Sequence, residues 1–326
     1  MCGRYPSGSP DFENPMRPPL THPLRTMLLR SWPVSVLVFA LSVCPNAYAQ
    51  QPITSPGWVK TASGCEVWAY PMPPFKSVYV WGVPFRVSWS GDCADGRASG
   101  EGVLESEDPK GKTHYEGGMR AGKMHGQGTA TLPDGQTISG VFNDGIVEGQ
   151  VIYTSSNGMH YEGRWSNGAP EGEGTATWPS GIIYSGNWHG GKESGVGTMK
   201  DPSTNTTYQG EFLEGKRNGH GTVIYSNGST ATVEWKAGVP NGHGEFTSTL
   251  GDHFEGEFRD GKMNGHGIML SHTGARYEGE WRDGFPDGEG TLVRPDTAQF
   301  SGQWRHGCFQ DGDRRTTFRV EPSSCP

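Results

Sequence analysis

Hydrophobic and polar residues alternate in short runs along most of this chain. The clearest run opens the segment YEGEWRDGFPDGEGTLV, residues 277–293, where Tyr277 and Trp281 alternate with Glu278 and Glu280. A period of two places successive side chains on opposite faces of a β-strand. The pattern therefore predicts a strand with one aromatic face and one acidic face.

The polar residues that follow the strand predict a β-hairpin. DGFPDG is rich in turn-forming residues, so we interpret it as a loop, and GTLV is expected to be the returning strand. A second turn, such as PDG at 133–135 or SNG at 226–228, leads to the next run. Because a single hairpin is marginally stable in water, neighbouring hairpins are expected to stack.

The same pattern returns with a period of 23 residues, lengthened to 26 before Tyr115 and to 24 before Tyr208. Counting from the first residue of each copy as offset 0, offset 4 is aromatic in eight copies and offset 7 is glycine in all ten. A glycine in every copy indicates a backbone position with positive φ, and we identify Gly122, Gly168, Gly215, Gly261 and Gly284 as structural glycines. The copies begin at Trp89, Tyr115, Ile138, Tyr161, Tyr184, Tyr208, Ala231, Phe254, Tyr277 and Phe300.

Glycine also recurs at offset 2, between two aromatic positions on the same face. We expect it to leave room for the ring of a neighbouring hairpin to lie flat across the backbone. Two copies depart from the pattern. ATVEW has Ala231 and Val233 in place of the first ring and the glycine, and EGQVIY has Val151 in place of the second glycine of GxG. Both copies are expected to be locally irregular.

The motif YEGxWxxGxxxGxGT at this period resembles the MORN (membrane occupation and recognition nexus) repeat family. The resemblance covers residues 89 to about 307, an array of about ten repeats. It implies an all-β fold, an elongated single-layer twisted antiparallel sheet of stacked β-hairpins, with no catalytic residues of its own. The preceding segment, GCEVWAYPMPPFKSVYVWGVPFRVSWSGDCADG, is similar to the N-terminal segment of exported bacterial members.

A leader segment precedes the array. Arg30 is followed by the apolar run 34–43 and then by Ala47-Tyr48-Ala49, the small-x-small pattern of a signal peptidase site. We interpret 27–49 as a signal peptide cleaved near Ala49, which makes the protein periplasmic or secreted. The alternative is an uncleaved anchor or a short buried strand. Lipoprotein anchoring at Cys44 is not expected, because Val43 stands where a small residue is needed.

The remaining segments complete the expected domain organisation. Residues 1–26 are interpreted as a mis-assigned or disordered N-terminal extension, because they are rich in proline and Met27 offers a later start. Segments 50–88 and 308–326 are expected to cap the two ends of the array. Uncapped sheet edges invite pairing with another chain, which gives such caps a physical role.

Four cysteines follow the predicted cleavage site. They allow three pairings, and an exported chain with an even number of cysteines favours disulfides. The pairing with the shortest loops joins Cys65 to Cys93 and Cys308 to Cys325, one bridge at each end of the array.

Charge and spacing argue against several kinds of chemistry. A formal net charge of -8 disfavours nucleic acid as a partner. The glutamates at offset 1 repeat along one face, so no catalytic pair stands out. His220, His243 and His266 recur at repeat spacing, too far apart to converge on one metal ion. We therefore expect no enzyme activity, no cofactor and no metal site.

The function that these observations favour is a non-enzymatic scaffold or protein-interaction module. Its partner would be another protein or a second copy, as in a homodimer, and the aromatic face is the predicted binding surface. Two alternatives stay open: the rings are consumed in packing, or the array binds anionic lipid headgroups or glycans at a membrane. The candidate binding residues are Tyr161, Trp165, Tyr184, Trp188, Tyr208, Phe212, Tyr277 and Trp281.

Overall fold

The computed structural model describes residues 57–69, 86–108 and 111–325, almost all of them in or between β-strands. The predicted extension, the signal peptide with its cleavage site near Ala49, and Cys44 lie outside the described residues. Within the described ranges, no helix is both long enough and apolar enough to cross a membrane.

The described residues contain twenty-four strands and one short 3-10 helix, Pro322–Ser324. In chain order the strands are β1 (Gly57–Lys60), β2 (Glu66–Ala69), β3 (Arg86–Trp89), β4 (Asp92–Ala94), β5 (Arg97–Asp108), β6 (Gly111–Arg120), β7 (Lys123–Thr131), β8 (Thr137–Asn143), β9 (Ile146–Thr154), β10 (His160–Ser166), β11 (Ala169–Thr177), β12 (Ile183–His189), β13 (Lys192–Asp201), β14 (Thr206–Leu213), β15 (Lys216–Ile224), β16 (Thr230–Lys236), β17 (Val239–Thr247), β18 (His253–Arg259), β19 (Lys262–Leu270), β20 (Arg276–Arg282), β21 (Phe285–Val293), β22 (Gln299–Arg305), β23 (Cys308–Asp311) and β24 (Arg314–Thr317).

Consecutive hairpins build one long open sheet. From β5 to β24 each strand pairs antiparallel with the next one in the chain. At the N-terminal end, β3 and β4 both pair with β5, and β1 and β2 form a separate hairpin. One residue pair, Glu66 with Arg97, joins β2 to β5 in parallel, which makes the sheet mixed. The predicted all-β sheet of hairpin repeats is confirmed.

The hairpin turns are shorter than the sequence suggested. We interpreted DGFPDG as a loop, but β21 already begins at Phe285, so only Asp283 and Gly284 form the turn. Their φ angles are 52° and 92°. Two successive positive φ angles are typical of a type I′ turn, whose twist matches that of the flanking strands. The predicted positive φ at offset 7 is confirmed: Gly122 79°, Gly168 84°, Gly215 80°, Gly261 78° and Gly284 92°.

In most hairpins a β-bulge follows the glycine at offset 2. In the copy that begins at Tyr161, Gly163 pairs with Gly174, but the next register pair is Trp165 with Pro170. Arg164 at the bulge presents its carbonyl oxygen to the Tyr161 hydroxyl, which donates a hydrogen bond of 2.7 Å. The bulge therefore fixes the polar end of the ring.

Each tyrosine ring lies across glycines of its own hairpin. From the sequence we expected the ring of a neighbouring hairpin at this place, and that expectation is wrong. A β-carbon at Gly174 would lie 2.6 Å from Cε2 of Tyr161, and one at Gly197 would lie 2.5 Å from Cε2 of Tyr184. Because real β-carbons do not approach so closely, glycine is required at both positions. The paired glycines of neighbouring strands form a row across the sheet, interrupted by Val151 and Val233.

The two atypical copies behave differently. The copy with Ala231 and Val233 keeps the usual register, because Val233, only 2% exposed, fills space that a ring occupies elsewhere. The expected irregularity is wrong there. In the pairing of β8 with β9, the register shifts between Gly140 and Val141, one residue earlier than in the other hairpins. The expected irregularity is confirmed in that copy, which contains Val151.

Candidate binding surface

One face of the sheet carries a continuous stack of aromatic rings, and we call it the ring face. The ring at offset 4 stands at a steep angle on the offset 0 ring of its own copy and on that of the preceding copy. Trp188, for example, lies 5.2 Å from Tyr184 and 5.3 Å from Tyr161, at interplanar angles of 85° and 84°. Such edge-to-face pairs are a favoured aromatic geometry. Ile138 and Ala231 interrupt the stack, since neither carries a ring.

The tryptophans of the stack also hold neighbouring copies together through their indole N–H groups. Nε1 of Trp188, Trp235, Trp281 and Trp304 donates to the carbonyl oxygen at offset 13 of the preceding copy, each at 3.1 Å. In the preceding copy of Trp165 that offset holds Val151, and the buried Trp165 Nε1 has no hydrogen-bond partner among the described residues.

The eight rings predicted to form a binding surface are all buried. Their exposed fractions are 0–5% for Tyr161, Trp165, Tyr184, Trp188, Tyr208, Phe212, Tyr277 and Trp281. Rings that lie flat on glycines and stand edge-on against each other leave no face for a partner. The structure thus corrects this prediction, and packing is the role that the geometry gives these eight residues.

The accessible part of the ring face lies over the buried stack. Tyr153, Trp178, Met199 and Tyr225 are half-buried and pack against it from above. Burial raises the pKa of the Tyr225 hydroxyl to about 12, so the group stays neutral at physiological pH. These side chains, which the sequence reading did not single out, are the ones that a partner can contact.

Two charged side chains enter the ring face at offset 9. Arg217 stacks over two rings, with Cζ 4.8 Å from the Tyr208 centroid and 5.2 Å from the Trp235 centroid, and burial lowers its pKa. Glu193 is half-buried, and burial raises the pKa of its carboxyl group. The other copies carry Ala, Met, Val, Pro or Phe at offset 9. This departure from the repeat pattern is a signal by which the sequence could have revealed both residues.

The C-terminal segment folds back onto the ring face. After β24 the chain places Phe318 on Tyr277, with ring centroids 5.8 Å apart and an interplanar angle of 20°. Nη1 of Arg319 lies 3.4 Å from the sulfur atoms of Met263 and Met269, and its Cζ lies 6.0 Å from the Trp281 ring centroid. We call residues 317–319 the tail.

A cleft of about 610 Å³ opens beside the tail. Phe246, Phe258, Met263, Met269 and Leu292 form its apolar part, and the tail forms one wall. Asp252 also lines it; hydrogen bonds from the backbone and side chain of His272 hold the pKa of that carboxyl below its usual range, against the effect of burial. The cleft is apolar with a few charged groups, as in many ligand sites.

The opposite face of the sheet, the outer face, is polar. Its hydroxyl groups pair across strands, as in Thr222 with Thr232 at 3.0 Å. His220, His243 and His266 stand opposite Glu234, Glu257 and Glu280 on the neighbouring strands. Within the described parts of the chain, no three histidine, cysteine or acidic side chains are grouped so that they could hold a metal ion.

The turn edge of the sheet carries both signs of charge. Basic side chains at offset 5 or 8 form ion pairs with acids at offset 6 of the next copy: Arg120 with Asp144 at 3.1 Å, Lys192 with Glu214, and Lys262 with Asp283 at 3.1 Å. The edge is therefore a neutralised rim and not a basic stripe.

Disulfides join the chain at both ends of the array. Cys65 is bonded to Cys93, with their Cα atoms 5.7 Å apart, and Cys308 is bonded to Cys325, with their Cα atoms 5.8 Å apart. These are the pairs with the shortest loops. The second bridge closes the C-terminal segment that carries the tail.

A single sheet of stacked hairpins, with rings packed on glycines in register, defines a β-repeat protein. The chain contains seven MORN repeats, at residues 115–137, 161–183, 184–206, 208–230, 234–252, 254–276 and 277–298. These repeats indicate a binding or scaffold role based on the repeat array. The copies that begin at Trp89, Ile138 and Phe300 follow the same register outside the seven matched segments.

Solved structures give weaker likenesses. One is the TCP domain of Drosophila melanogaster SAS-4 (dCPAP) in complex with a proline-rich motif of Ana2 (dSTIL), at 12% identity, covering 55% of this chain and 90% of that chain with a TM-score of 0.32. Another is the wild-type TCP10 domain of Danio rerio CPAP, at 11% identity, covering 68% and 98%, with a TM-score of 0.22. Likenesses this weak support no conclusion on function. No curated protein matches the chain significantly.

Proposed function

We propose that this protein is a non-enzymatic scaffold whose ring face holds an extended segment of a protein partner. One observation carries the proposal: the chain's own tail already lies across this face, with Phe318 on Tyr277 and Arg319 above Trp281. The half-buried side chains Trp178 and Tyr225 continue the same surface beyond the tail. A surface that accepts one extended segment in this way suits another.

Site-specific photo-crosslinking tests this proposal. Benzoylphenylalanine in place of Trp178 or Tyr225 reports on the ring face, and the same residue in place of Gln209, which is exposed at offset 1, reports on the outer face. We expect protein crosslinks from the two ring-face positions in native envelope preparations, with the partner peptide identified by mass spectrometry. Crosslinks confined to Gln209, or none at any position, would contradict the proposal.

We also propose export to the periplasm or outside the cell. The signal-peptide pattern that ends near Ala49 supports this, and so do two disulfides, since such bonds persist in oxidising compartments. The test is the N-terminus of the native protein, expected at Gln50 in the exported fraction. Full-length protein in the cytosol with free thiols would rule export out.

Binding to anionic lipid is the weaker candidate. Two of the rim lysines, Lys192 and Lys262, are paired with acids, which weakens the positive stripe that anionic headgroups need. Co-flotation of the purified protein with phosphatidylglycerol vesicles at low salt, lost at high salt, would favour this candidate over a protein partner.

A further inference from the structure

The tail lies on the ring face as a bound segment would, and its contacts show which side chains this part of the face accepts. The Phe318 ring stacks on Tyr277, with ring centroids 5.8 Å apart and an interplanar angle of 20°. Nη1 of Arg319 lies 3.4 Å from the sulfur atoms of Met263 and Met269. The pair that is accepted here is therefore an aromatic residue followed by an arginine.

A ring and a carboxylate complete the surroundings of the guanidinium. Cζ of Arg319 lies 6.0 Å from the Trp281 ring centroid, close enough for a cation to be attracted to a ring. Burial lowers the pKa of the guanidinium, and the Asp252 carboxylate opposes that effect. The pKa of Asp252 is itself held below its usual range, so this carboxylate is charged at neutral pH. We call the residues around the two tail side chains the tail seat: Asp252, Met263, Met269, Tyr277 and Trp281.

The tail does not fit this place without cost. The φ angle of Arg319 is 65°, in the left-handed region that arginine seldom adopts. The cleft also stays open along the tail, with Phe246, Phe258 and Leu292 in its apolar part. A segment with a relaxed backbone could place the same two side chains in the tail seat and a further apolar side chain in the cleft. Such a segment would bury more apolar surface than the tail does.

The sheet beneath the tail does not depend on it for its pairing. Strands β18 to β21 are joined to one another by their own register pairs. Phe318 and Arg319 follow β24, the last strand, and the Phe318 backbone N–H donates to the Gly307 carbonyl oxygen at 2.9 Å. Release of the tail would thus uncover the tail seat and leave the repeats paired.

We propose that the tail seat binds a segment of a protein partner in which an aromatic residue precedes an arginine, and that this segment replaces the tail. The inference rests on the proposed function and names the chemistry of the partner. Arginine suits the seat better than lysine, because a flat guanidinium stacks on a ring whereas an ammonium is a compact, strongly hydrated charge. The net charge of -8 favours a basic segment. The tail is then an internal competitor that covers the seat until the partner arrives.

Fluorescence anisotropy with a labelled peptide of residues 313–321 tests this exchange on the full chain. In the parent protein the tail competes from within the chain, at an effective concentration on the order of millimolar. In a double variant with Phe318→Ala and Arg319→Ala the seat is free, so the peptide should bind at least about tenfold more tightly than to the parent. Citrulline in place of Arg319 in the peptide, or alanine in place of Phe318, should abolish this gain.

A matched pair of acids, changed in the double variant, shows whether the peptide occupies the tail seat. Asp252→Asn removes the charge that attracts the guanidinium and should weaken peptide binding about three- to fivefold. Asp260→Asn makes the same change at an exposed turn residue and should alter the dissociation constant less than about twofold. Thermal unfolding checks that each variant is folded. If the double variant does not fold, Arg319→Gln takes its place, with a smaller gain expected.

Three results would overturn this inference. The first is equal peptide binding to the parent and to the double variant, and the second is no saturable binding at millimolar peptide. The third is a dimer of the parent chain in sedimentation velocity that dissociates in the double variant, because a second copy would then be the occupant. The proposed function survives any of them if Trp178 and Tyr225 crosslink to a partner, and it fails only if those crosslinks fail too.

Discussion

A tyrosine ring lying on two glycines is the contact that recurs most often in this sheet. It explains why offsets 2 and 13 lack side chains, and why the exceptions come with compensating changes. Where Val233 replaces the glycine at offset 2, Ala231 replaces the ring. Where Val151 replaces the glycine at offset 13, the ring position is Ile138. In each case the space over the glycine position is filled either by the ring at offset 0 or by the side chain that replaces the glycine.

A double-mutant cycle at Tyr184 and Gly186 checks this compensation. Gly186→Val alone should cost about 1–3 kcal/mol, because a β-carbon there would lie 2.5 Å from Cα of Gly197 and 2.8 Å from the Tyr184 hydroxyl. Tyr184→Ala alone should cost roughly 3–5 kcal/mol. The double variant recreates the arrangement at Ala231 and Val233, so it should cost at least about 1 kcal/mol less than the sum, by urea unfolding. The control pairs Gly186→Val with the distant Tyr277→Ala, and the costs of these two changes should add. If the costs of Gly186→Val and Tyr184→Ala add equally well, the compensation is refuted.

The raised pKa of Glu193 predicts that the stability of the protein depends on pH. Its pKa is raised in the folded protein, so the folded state binds the proton more readily than the unfolded state, and stability falls as pH rises above about 4.5, the ordinary value. Glu193→Gln should therefore raise the melting temperature at pH 7 and have no such effect near pH 4. Glu214, whose pKa is lowered by Lys192, serves as the control, since Glu214→Gln should give no gain at pH 7. An equal rise in the melting temperature of Glu193→Gln at pH 7 and at pH 4 would contradict the assignment of the pH dependence to Glu193.

The indole N–H groups give a third prediction at this scale. Trp281→Phe removes the hydrogen bond to the Gly267 carbonyl, whereas Trp165→Phe removes a buried donor that has no partner. We expect Trp281→Phe to cost about 1 kcal/mol more than Trp165→Phe in the free energy of unfolding. Equal costs would show that the N–H of Trp165 is satisfied in solution.

At the scale of the element, the repeating unit is a hairpin closed by a two-residue type I′ turn. The sequence shows one half of this turn, the glycine at offset 7, in every copy. The other half, offset 6, also has a positive φ, yet it is filled by Asp, Asn, Glu, Ala, Gly or His. Because this residue varies, the second left-handed position could not be recognised by identity alone, and the loop was predicted too long.

Ala237 is an unfavourable residue in that position. Its φ is 52°, and alanine gains nothing there, whereas asparagine tolerates the left-handed region. Ala237→Asn should stabilise the protein by about 0.5–1 kcal/mol, read from its melting temperature. The reverse change in another copy, Asn167→Ala, should destabilise by a similar amount. A loss of stability in Ala237→Asn would mean that the turn is held by contacts other than its own backbone.

At the scale of the whole molecule, each repeat hairpin packs mainly on its neighbours, so the ends are the vulnerable points. The tail links repeats that are distant in sequence, since Arg319 contacts Met263 and Phe318 contacts Tyr277. The Cys308–Cys325 bridge constrains this segment. Stability in such an array is close to a sum of local terms.

Opening either bridge should therefore act locally. Cys325→Ser is expected to speed amide hydrogen exchange in β20 to β24 and to leave β8 to β16 unchanged. Cys65→Ser should likewise loosen β1 to β5 alone. Loss of a native disulfide typically costs ~2–5 kcal/mol, which is enough to fray one end. Uniform acceleration along the whole array would show that the sheet unfolds as one cooperative unit.

The sequence by itself determined the repeat, the alternation of faces, the turn glycines and the all-β class. These follow from local backbone demands, which recur in register and so can be read without any contact. Only the tertiary structure decided that the rings are buried, because burial depends on how they close over the glycine row. It also decided where Arg319 lies, since its contact with Met263 joins residues 56 positions apart. Such long-range contacts leave no periodic trace in the chain.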